Sequence, residues 1–142
     1  AREELDYWQS ELSRPLASGC FGENLTTQGV DLSALLINQR LRIGTAVLEV
    51  SVPRQPCSTF AGWLGERGWL KRWTARGDCG TYLRIISPGR IQPGDCITMD
   101  APPNHDITMR IAFAAKMGNR TLAQRVIEAG CLPPHQNNSL RA

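Results

Sequence analysis

The chain has 142 residues, the size of one domain, and its hydrophobic share of 42% and charged share of 20% are those of a globular protein. No apolar run approaches the roughly 20 residues that a membrane span needs, and the first residues lack the apolar core of a secretory signal. We therefore expect a cytoplasmic protein with no membrane partner. The net charge of +3 and the scattered basic residues argue against nucleic acid as a partner.

Five cysteines and two histidines are the first candidates for metal or nucleophilic chemistry. The cysteine count is odd and no CxxC pair occurs, which argues against a disulfide framework and a four-thiolate zinc site. Two histidines are too few for a His-rich metal site. Most free cysteines in a reducing compartment are small buried hydrophobic residues, so a functional role must rest on the surroundings. The phosphate loop and the GxSxG, HExxH and GxGxxG motifs do not occur.

The chain begins with a helical pattern and then changes to a β pattern. Leu5, Trp8 and Leu12 recur at helical spacing and predict a helix over residues 2–13. Residues 21–27 are predicted to form a short extended piece entered through glycine. Strands are predicted at residues 41–43, 46–52, 81–86 and 96–99, with helical segments at residues 59–67 and 68–73 between them.

The last part of the chain returns to helical spacing. Residues 107–115 predict a helix that Asp106 could cap, and residues 122–127 predict a second helix that ends at Gly130. The polar residues 133–142 are expected to be frayed or peripheral.

This order of elements is typical of a mainly β fold with helices. We predict a β-rich domain at residues 1–103 and a helical C-terminal extension at residues 104–142.

Cys57 stands in the run Pro53-Arg54-Gln55-Pro56-Cys57, directly after the predicted strand at residues 46–52. The prolines prevent further ladder pairing and make the exit from the strand rigid. A following helix N-terminus would favour the thiolate, and Arg54 could add positive charge or bind an anionic ligand. A soft, pre-oriented thiolate suits a transition metal. We therefore predict Cys57 as a metal ligand and catalytic residue.

Two other interpretations of Cys57 stay open. It could be a buried structural cysteine beneath a proline turn. It could also pair with His105 as the nucleophile of a cysteine hydrolase.

A second run, Phe21-Gly22-Glu23-Asn24-Leu25, also carries candidate binding groups. Gly22 permits close backbone approach, and Asn24 offers hydrogen-bond donors and acceptors to a polar ligand. In the alternative interpretation the run starts a strand and Asn24 only satisfies a turn.

Together these runs resemble the MOSC domain family (molybdenum cofactor sulfurase C-terminal domain). The similarity is closer to its branch of bacterial proteins that confer resistance to 6-N-hydroxylaminopurine, and it spans nearly all of the chain. Four pieces match in order: Phe21-Gly22-Glu23-Asn24-Leu25, Pro53-Arg54-Gln55-Pro56-Cys57, Gly80-Thr81-Tyr82-Leu83-Arg84-Ile85, and Pro88-Gly89 with Gly94-Asp95. Tyr7-Trp8 and Leu132-Pro133-Pro134 also fit this branch.

The resemblance implies a β-barrel with mixed strand directions and a small helical C-terminal extension. It implies a molybdenum cofactor (molybdopterin) with Cys57 as the metal ligand, and Arg54, Asn24 and Arg84 lining the cofactor or substrate pocket. It also implies an oxidoreductase that reduces N-hydroxylated bases or related compounds. Its partners would be a small-molecule N-hydroxylated substrate and an electron-donating reductase.

Members of the family have a preceding stretch with a His-Gly-Gly run and early barrel strands, and this sequence begins after it. Such a barrel would expose strand edges, which predicts a homo-oligomer or cover by another chain. The alternative function is a non-catalytic remnant without the cofactor, acting as an oligomeric or anionic-small-molecule-binding module.

Overall fold

The computed structural model describes all 142 residues of the chain. The helices predicted at the N-terminus and before Gly130 and the strands predicted at residues 46–52 and 81–86 are confirmed. Each helix is too short or too polar to be a membrane-spanning segment. The helices are α1 (Arg2–Leu12), α2 (Ser58–Leu64), α3 (Trp69–Arg76), α4 (Met109–Lys116), α5 (Arg120–Ala129) and α6 (Pro134–Ser139); the strands are β1 (Arg40–Ile43), β2 (Ala46–Pro53), β3 (Thr81–Ser87) and β4 (Ile97–Met99).

The four strands form one open antiparallel sheet in the order β3-β2-β1-β4. This corrects the expectation of a barrel with mixed strand directions, because all three pairings are antiparallel and β3 and β4 are free edges. Closure would need every strand to have two neighbours, and β4 has only three residues to offer. The helices also hold more residues than the strands, so the fold is mixed α/β rather than mainly β.

The chain divides into two compact units. The first comprises Ala1–Leu32 and Pro56–Asp78 and contains α1, α2 and α3. The second comprises Ser33–Gln55 and Cys79–Ala142 and contains the sheet with α4, α5 and α6. The C-terminal helices therefore share a compact unit with the sheet, while the division predicted between residues 103 and 104 stays a prediction.

The core of the first unit is a cluster of aromatic rings. Trp69 on α3 is 1% exposed and contacts Trp8 of α1 edge to face, with 4.6 Å between ring centroids. It meets Phe21 and Phe60 in the same way, at 5.5 and 5.4 Å. Phe60 also contacts Trp73, one helical turn after Trp69. Buried edge-to-face pairs are favourable beyond their area of burial, so this cluster holds the three helices together.

The core of the second unit lies on one face of the sheet. Leu41 and Ile43 on β1 and Leu48 and Val50 on β2 are buried, and α4 packs against β2. Successive side chains of a strand point to opposite faces, so the charged residues of β1 lie on the other face.

Two glycines let the loop after β3 lie directly on the β1–β2 turn. A Cβ atom at Gly89 would overlap the backbone of Thr45, and one at Gly44 would overlap the carbonyl of Arg90. In this position the Thr45 hydroxyl accepts a hydrogen bond from the Arg90 N–H at 2.8 Å, and the Arg90 carbonyl accepts one from the Thr45 N–H at 3.1 Å. Pro88-Gly89, one of the pieces that carries the resemblance, therefore has a packing role.

We expect Gly89→Ala to destabilise the protein by about 1–3 kcal/mol, because the added methyl group must displace backbone atoms. The measurement is chemical or thermal unfolding followed by circular dichroism. The matched control is Gly62→Ala within α2, where a Cβ meets nothing within 4 Å and alanine favours the helix. Equal stability of the two variants would contradict this account of the loop.

Candidate functional site

Cys57 occupies the N-cap position of α2, with its side chain exposed. Its backbone is extended, with φ −143° and ψ 157°, as is usual for an N-cap residue. Its Sγ accepts a hydrogen bond from the backbone N–H of Phe60 at 3.4 Å. The interpretation of Cys57 as a buried structural cysteine is therefore wrong, and the thiol is open to a ligand.

The runs that carry Cys57 and Asn24 are joined by an aromatic contact. Phe60, three residues after Cys57, meets Phe21, three residues before Asn24, with ring centroids 5.2 Å apart. Both phenylalanines are buried in the aromatic cluster of the first unit. The contact packs Phe21 of the first run against the helix that Cys57 caps.

Asn24 lies on a loop whose shape is set by Glu23. The Glu23 carboxylate accepts hydrogen bonds from the N–H groups of Gly19 at 2.7 Å and Phe21 at 3.0 Å, and from the Thr26 hydroxyl at 3.0 Å. A side chain that accepts hydrogen bonds from backbone N–H groups competes with the pairing of those groups in a sheet. No strand forms at residues 21–27. The Asn24 side chain is exposed on this loop.

The other two predicted site residues lie in the second unit. Arg54 is half-buried and follows Pro53, the last residue of β2, while Arg84 lies on β3. Cys57 and Asn24 belong to the first unit. Each unit thus contains two of the four predicted site residues. That the four residues line one pocket stays a prediction.

The guanidinium group of Arg84 is held by three side chains of its own unit. It donates hydrogen bonds to Asn38 Oδ1 at 2.7 Å, Glu49 Oε1 at 2.7 Å and Ser51 Oγ at 3.1 Å. Asn38 adopts a left-handed backbone conformation, and its amide group donates to the Cys131 carbonyl at 2.8 Å. Arg84 therefore has a structural role, linking β3 to β2 and to the chain before β1, that its place in a strand did not indicate.

Glu49 lies in the middle of a row of charges across the sheet. It faces Arg40 on β1 and Arg84 on β3, and it forms ion pairs with both, at 3.1 and 2.7 Å. Burial acts to raise the pKa of Glu49, but the hydrogen bonds from Arg84 and Arg40 outweigh it and lower the pKa below its usual value. The ionised carboxylate therefore stabilises the folded sheet.

His105 has no free ring nitrogen for a cysteine nucleophile. Its Nδ1 accepts a hydrogen bond from the Ile107 N–H at 3.1 Å, and its Nε2 lies 2.8 Å from the Ile37 carbonyl oxygen. A neutral ring with its proton on Nε2 satisfies both contacts. These contacts give His105 a structural role and argue against the cysteine-hydrolase alternative.

The five cysteines differ in exposure. Cys57 and Cys96 are exposed, Cys79 and Cys131 are buried, and Cys20 is intermediate. Burial raises the pKa of the Cys20 thiol, with a further increase from the Glu23 carboxylate, and burial also raises the pKa of Cys131. Burial thus disfavours the thiolate form of Cys20 and Cys131, and the thiolate is the form that binds a metal.

The donor groups of the chain do not form a conventional metal site. Nowhere do three or more His, Cys, Asp or Glu side chains lie together in a way that could hold a metal ion. An exposed single thiol can instead complete the coordination of a metal that arrives with its own ligands. Such a metal would be soft enough to prefer sulfur.

The roles of two residues of the first unit were not predicted from the sequence. Glu23, which orders the loop of Asn24, could have been suspected from its place between Gly22 and Asn24. Trp63 is 75% exposed, and its indole N–H donates to the Cys20 carbonyl at 2.9 Å, which fixes the ring. Helical spacing did not predict this exposure. Trp63 is three residues after Phe60 and next to Leu64, and both of these residues are buried.

A family model described as the MOSC domain matches residues 1–98 of the chain. The uncharacterized protein YflK of Bacillus subtilis is 38% identical over 133 residues, which is 92% of this chain and 60% of YflK. A protein of Gibberella moniliformis named a reductase is 34% identical over 82 residues, which is 57% of this chain and 15% of the reductase. The chain thus spans 60% or less of the length of these two relatives.

The fold is similar to that of a solved structure. The crystal structure of YiiM from Geobacillus stearothermophilus superposes with a TM-score of 0.86 at 25% sequence identity. The superposition covers 99% of this chain and 73% of the YiiM chain.

We expect Glu49→Gln to lower stability by about 1–3 kcal/mol near neutral pH, because it removes the charge shared by two arginines. The pKa of Glu49 is lowered in the folded state, so its contribution is present above the ordinary value of 4.5 and is lost as the pH falls through the folded-state value. The stability difference between wild type and variant should therefore shrink at acidic pH. Thermal unfolding across the pH range measures it.

The control for this prediction is Glu128→Gln. Glu128 is exposed and accepts a hydrogen bond only from Gln124 on its own helix. Removal of the Glu128 charge should leave the pH dependence of protein stability unchanged. A Glu49→Gln deficit of the same size at every pH would show that the charge row does not act as described.

Proposed function

The chain belongs to the MOSC domain family, and from that premise we propose that it is part of a molybdenum-cofactor-dependent oxidoreductase that reduces N-hydroxylated bases or related compounds. The observation that carries the proposal is the exposed thiol of Cys57 at the start of α2, directly after the rigid exit from β2. The family membership supplies the cofactor class. Because the chain spans only part of its relatives, the activity of the whole protein belongs to the proposal.

The chemistry of the proposed site residues is compatible with this cofactor. Molybdenum in a pterin cofactor brings sulfur ligands of its own, so the protein needs to supply only one thiolate. Cys57, whose side chain is exposed, would supply this thiolate, and no cluster of further protein ligands would be required. Arg54 would interact with anionic groups of the cofactor, and Asn24 would bind a polar group of the cofactor or the substrate.

We assign Arg84 a less direct part in this proposal. Its guanidinium already donates to Asn38, Glu49 and Ser51. We propose that it positions β3 at the edge of the sheet, and so acts on the pocket through the backbone. Direct contact of Arg84 with the cofactor stays a prediction of the family resemblance.

The proposed reaction converts an N–OH group to N–H and releases water. It consumes two electrons and two protons, and the cofactor would supply the two-electron redox chemistry. The electrons would come from a partner reductase. The similarity to a segment of a protein named a reductase supports reductive chemistry. The electron-donating partner and the homo-oligomeric state stay predictions.

The test is the molybdenum content of the intact protein together with its reduction of 6-N-hydroxylaminopurine by a chemical reductant. We expect Cys57→Ser to lower both by roughly tenfold or more, because serine can keep the helix cap but lacks the sulfur ligand. Cys96→Ser is the matched control, since Cys96 is the other exposed cysteine. A Cys57→Ser protein that keeps its molybdenum and activity would refute the proposal, as would activity in a preparation without molybdenum.

A further inference from the structure

A cavity in the C-terminal helices has the chemistry of an anion-binding site. It measures about 550 Å³ and is formed by α4, α5 and the last residues of the chain, all within the second unit. This volume is in the range of pockets that bind small molecules. None of its lining residues takes part in the function proposed above.

Three cationic side chains line the cavity: Lys116, Arg120 and Arg141. No aspartate or glutamate is among the lining residues. The two other cations of these helices have partners elsewhere, since Arg110 donates to Ser33 and Arg125 pairs with Asp106 at 2.6 Å. The lining residue Ala142 carries the terminal carboxylate of the chain, so three cations stand against one anionic group, which leaves a net positive local potential.

Lys116 is the most constrained of the three cations. It is half-buried at the end of α4, and its ammonium group donates to the neutral amide oxygen of Gln136 on α6. Burial lowers the pKa of Lys116, and no carboxylate offsets this loss of hydration. A bound anion would compensate for it.

The beginning of α5 adds to the same potential. Gly118 and Arg120 line the cavity where this ten-residue helix starts. The cap residue Asn119 accepts a hydrogen bond from the Leu122 N–H, which leaves the first N–H groups of the helix for another acceptor. A helix N-terminus favours a negatively charged group through these N–H groups and its dipole.

The rest of the wall is partly apolar, with Ala123, Ile127 and Leu140. An inorganic ion alone would leave this part of the cavity without contacts. From the three cations, the helix N-terminus and the apolar wall, we propose that the cavity binds an organic phosphate monoester, with the phosphate at the cations and the organic group along the apolar wall.

The test is calorimetric titration of the intact protein with adenosine monophosphate, glucose phosphate, inorganic phosphate and adenosine. We expect one of the two monoesters to bind more tightly than inorganic phosphate, and adenosine to bind at least about tenfold more weakly than its monophosphate. In amide NMR spectra, the largest shifts on binding should fall on Gly118 and Arg120.

Arg120→Gln and Arg125→Gln form a matched pair of variants on α5. Both arginines are exposed, but only Arg120 lines the cavity. We expect Arg120→Gln to weaken monoester binding by roughly fivefold to tenfold and Arg125→Gln to leave it unchanged. Lys116→Gln should also weaken it, and if that variant does not fold, the Arg120 pair decides.

Several results would overturn the proposal. One is the absence of binding by both monoesters, and another is equal binding of adenosine and its monophosphate. A third is equal weakening by Arg120→Gln and Arg125→Gln, which would show a general charge effect. None of these results bears on the molybdenum proposal, which rests on Cys57.

Discussion

The position of Cys57 depends on how the strand β2 ends. Pro53 is the last residue of the strand, which pairs with β1 on one side and β3 on the other. Proline has no N–H to donate, and it disfavours a helical conformation in the residue before it. Pro53 and Pro56 therefore end the hydrogen-bonded strand pairing and keep the residues before Cys57 out of the next helix. That helix begins at Ser58, with Cys57 as its cap. The cysteine is therefore exposed at a helix start rather than buried among strand side chains.

Both sides of this exit are held by tertiary contacts within their own units. In the second unit, Arg84 and Arg40 hold Glu49 of β2 through ion pairs on neighbouring strands. In the first unit, Phe60 fixes α2 in the aromatic cluster, which also contains Phe21. Two residues of the motif runs therefore have structural roles. Phe21 packs in the aromatic cluster, and Gly89 lets the loop after β3 lie on the β1–β2 turn.

Local patterns in the sequence were enough to predict most of the regular elements. The spacing of Leu5, Trp8 and Leu12 predicted α1, and the alternation after Ala46 predicted β2. The caps were less predictable, because several polar residues compete for each helix start. Asp106 was expected to cap α4, but Thr108 does so by accepting from the Ile111 N–H, and Asp106 pairs with Arg125 instead.

What depends on distant contacts could not be predicted from local patterns. The open sheet is one case, because strand order and closure are set by pairings between residues far apart in the chain. The role of Arg84 is another, since its partners lie 33 to 46 positions earlier. The helix α6 formed in a segment that was expected to be frayed, where Gln136 meets Lys116 across 20 positions. The family resemblance suggested candidate site residues, but it could not assign them to the two compact units.

The central claim is that the Cys57 thiol is the ligand through which this chain binds its metal. Pulse alkylation of the intact protein, with mass spectrometry of each cysteine, tests it most directly. Without cofactor, Cys57 and Cys96 should both react quickly, while the buried Cys79 and Cys131 are protected. With the molybdenum cofactor bound, Cys57 alone should become protected. Continued alkylation of Cys57 at the rate of Cys96 in the molybdenum-loaded protein would contradict the claim.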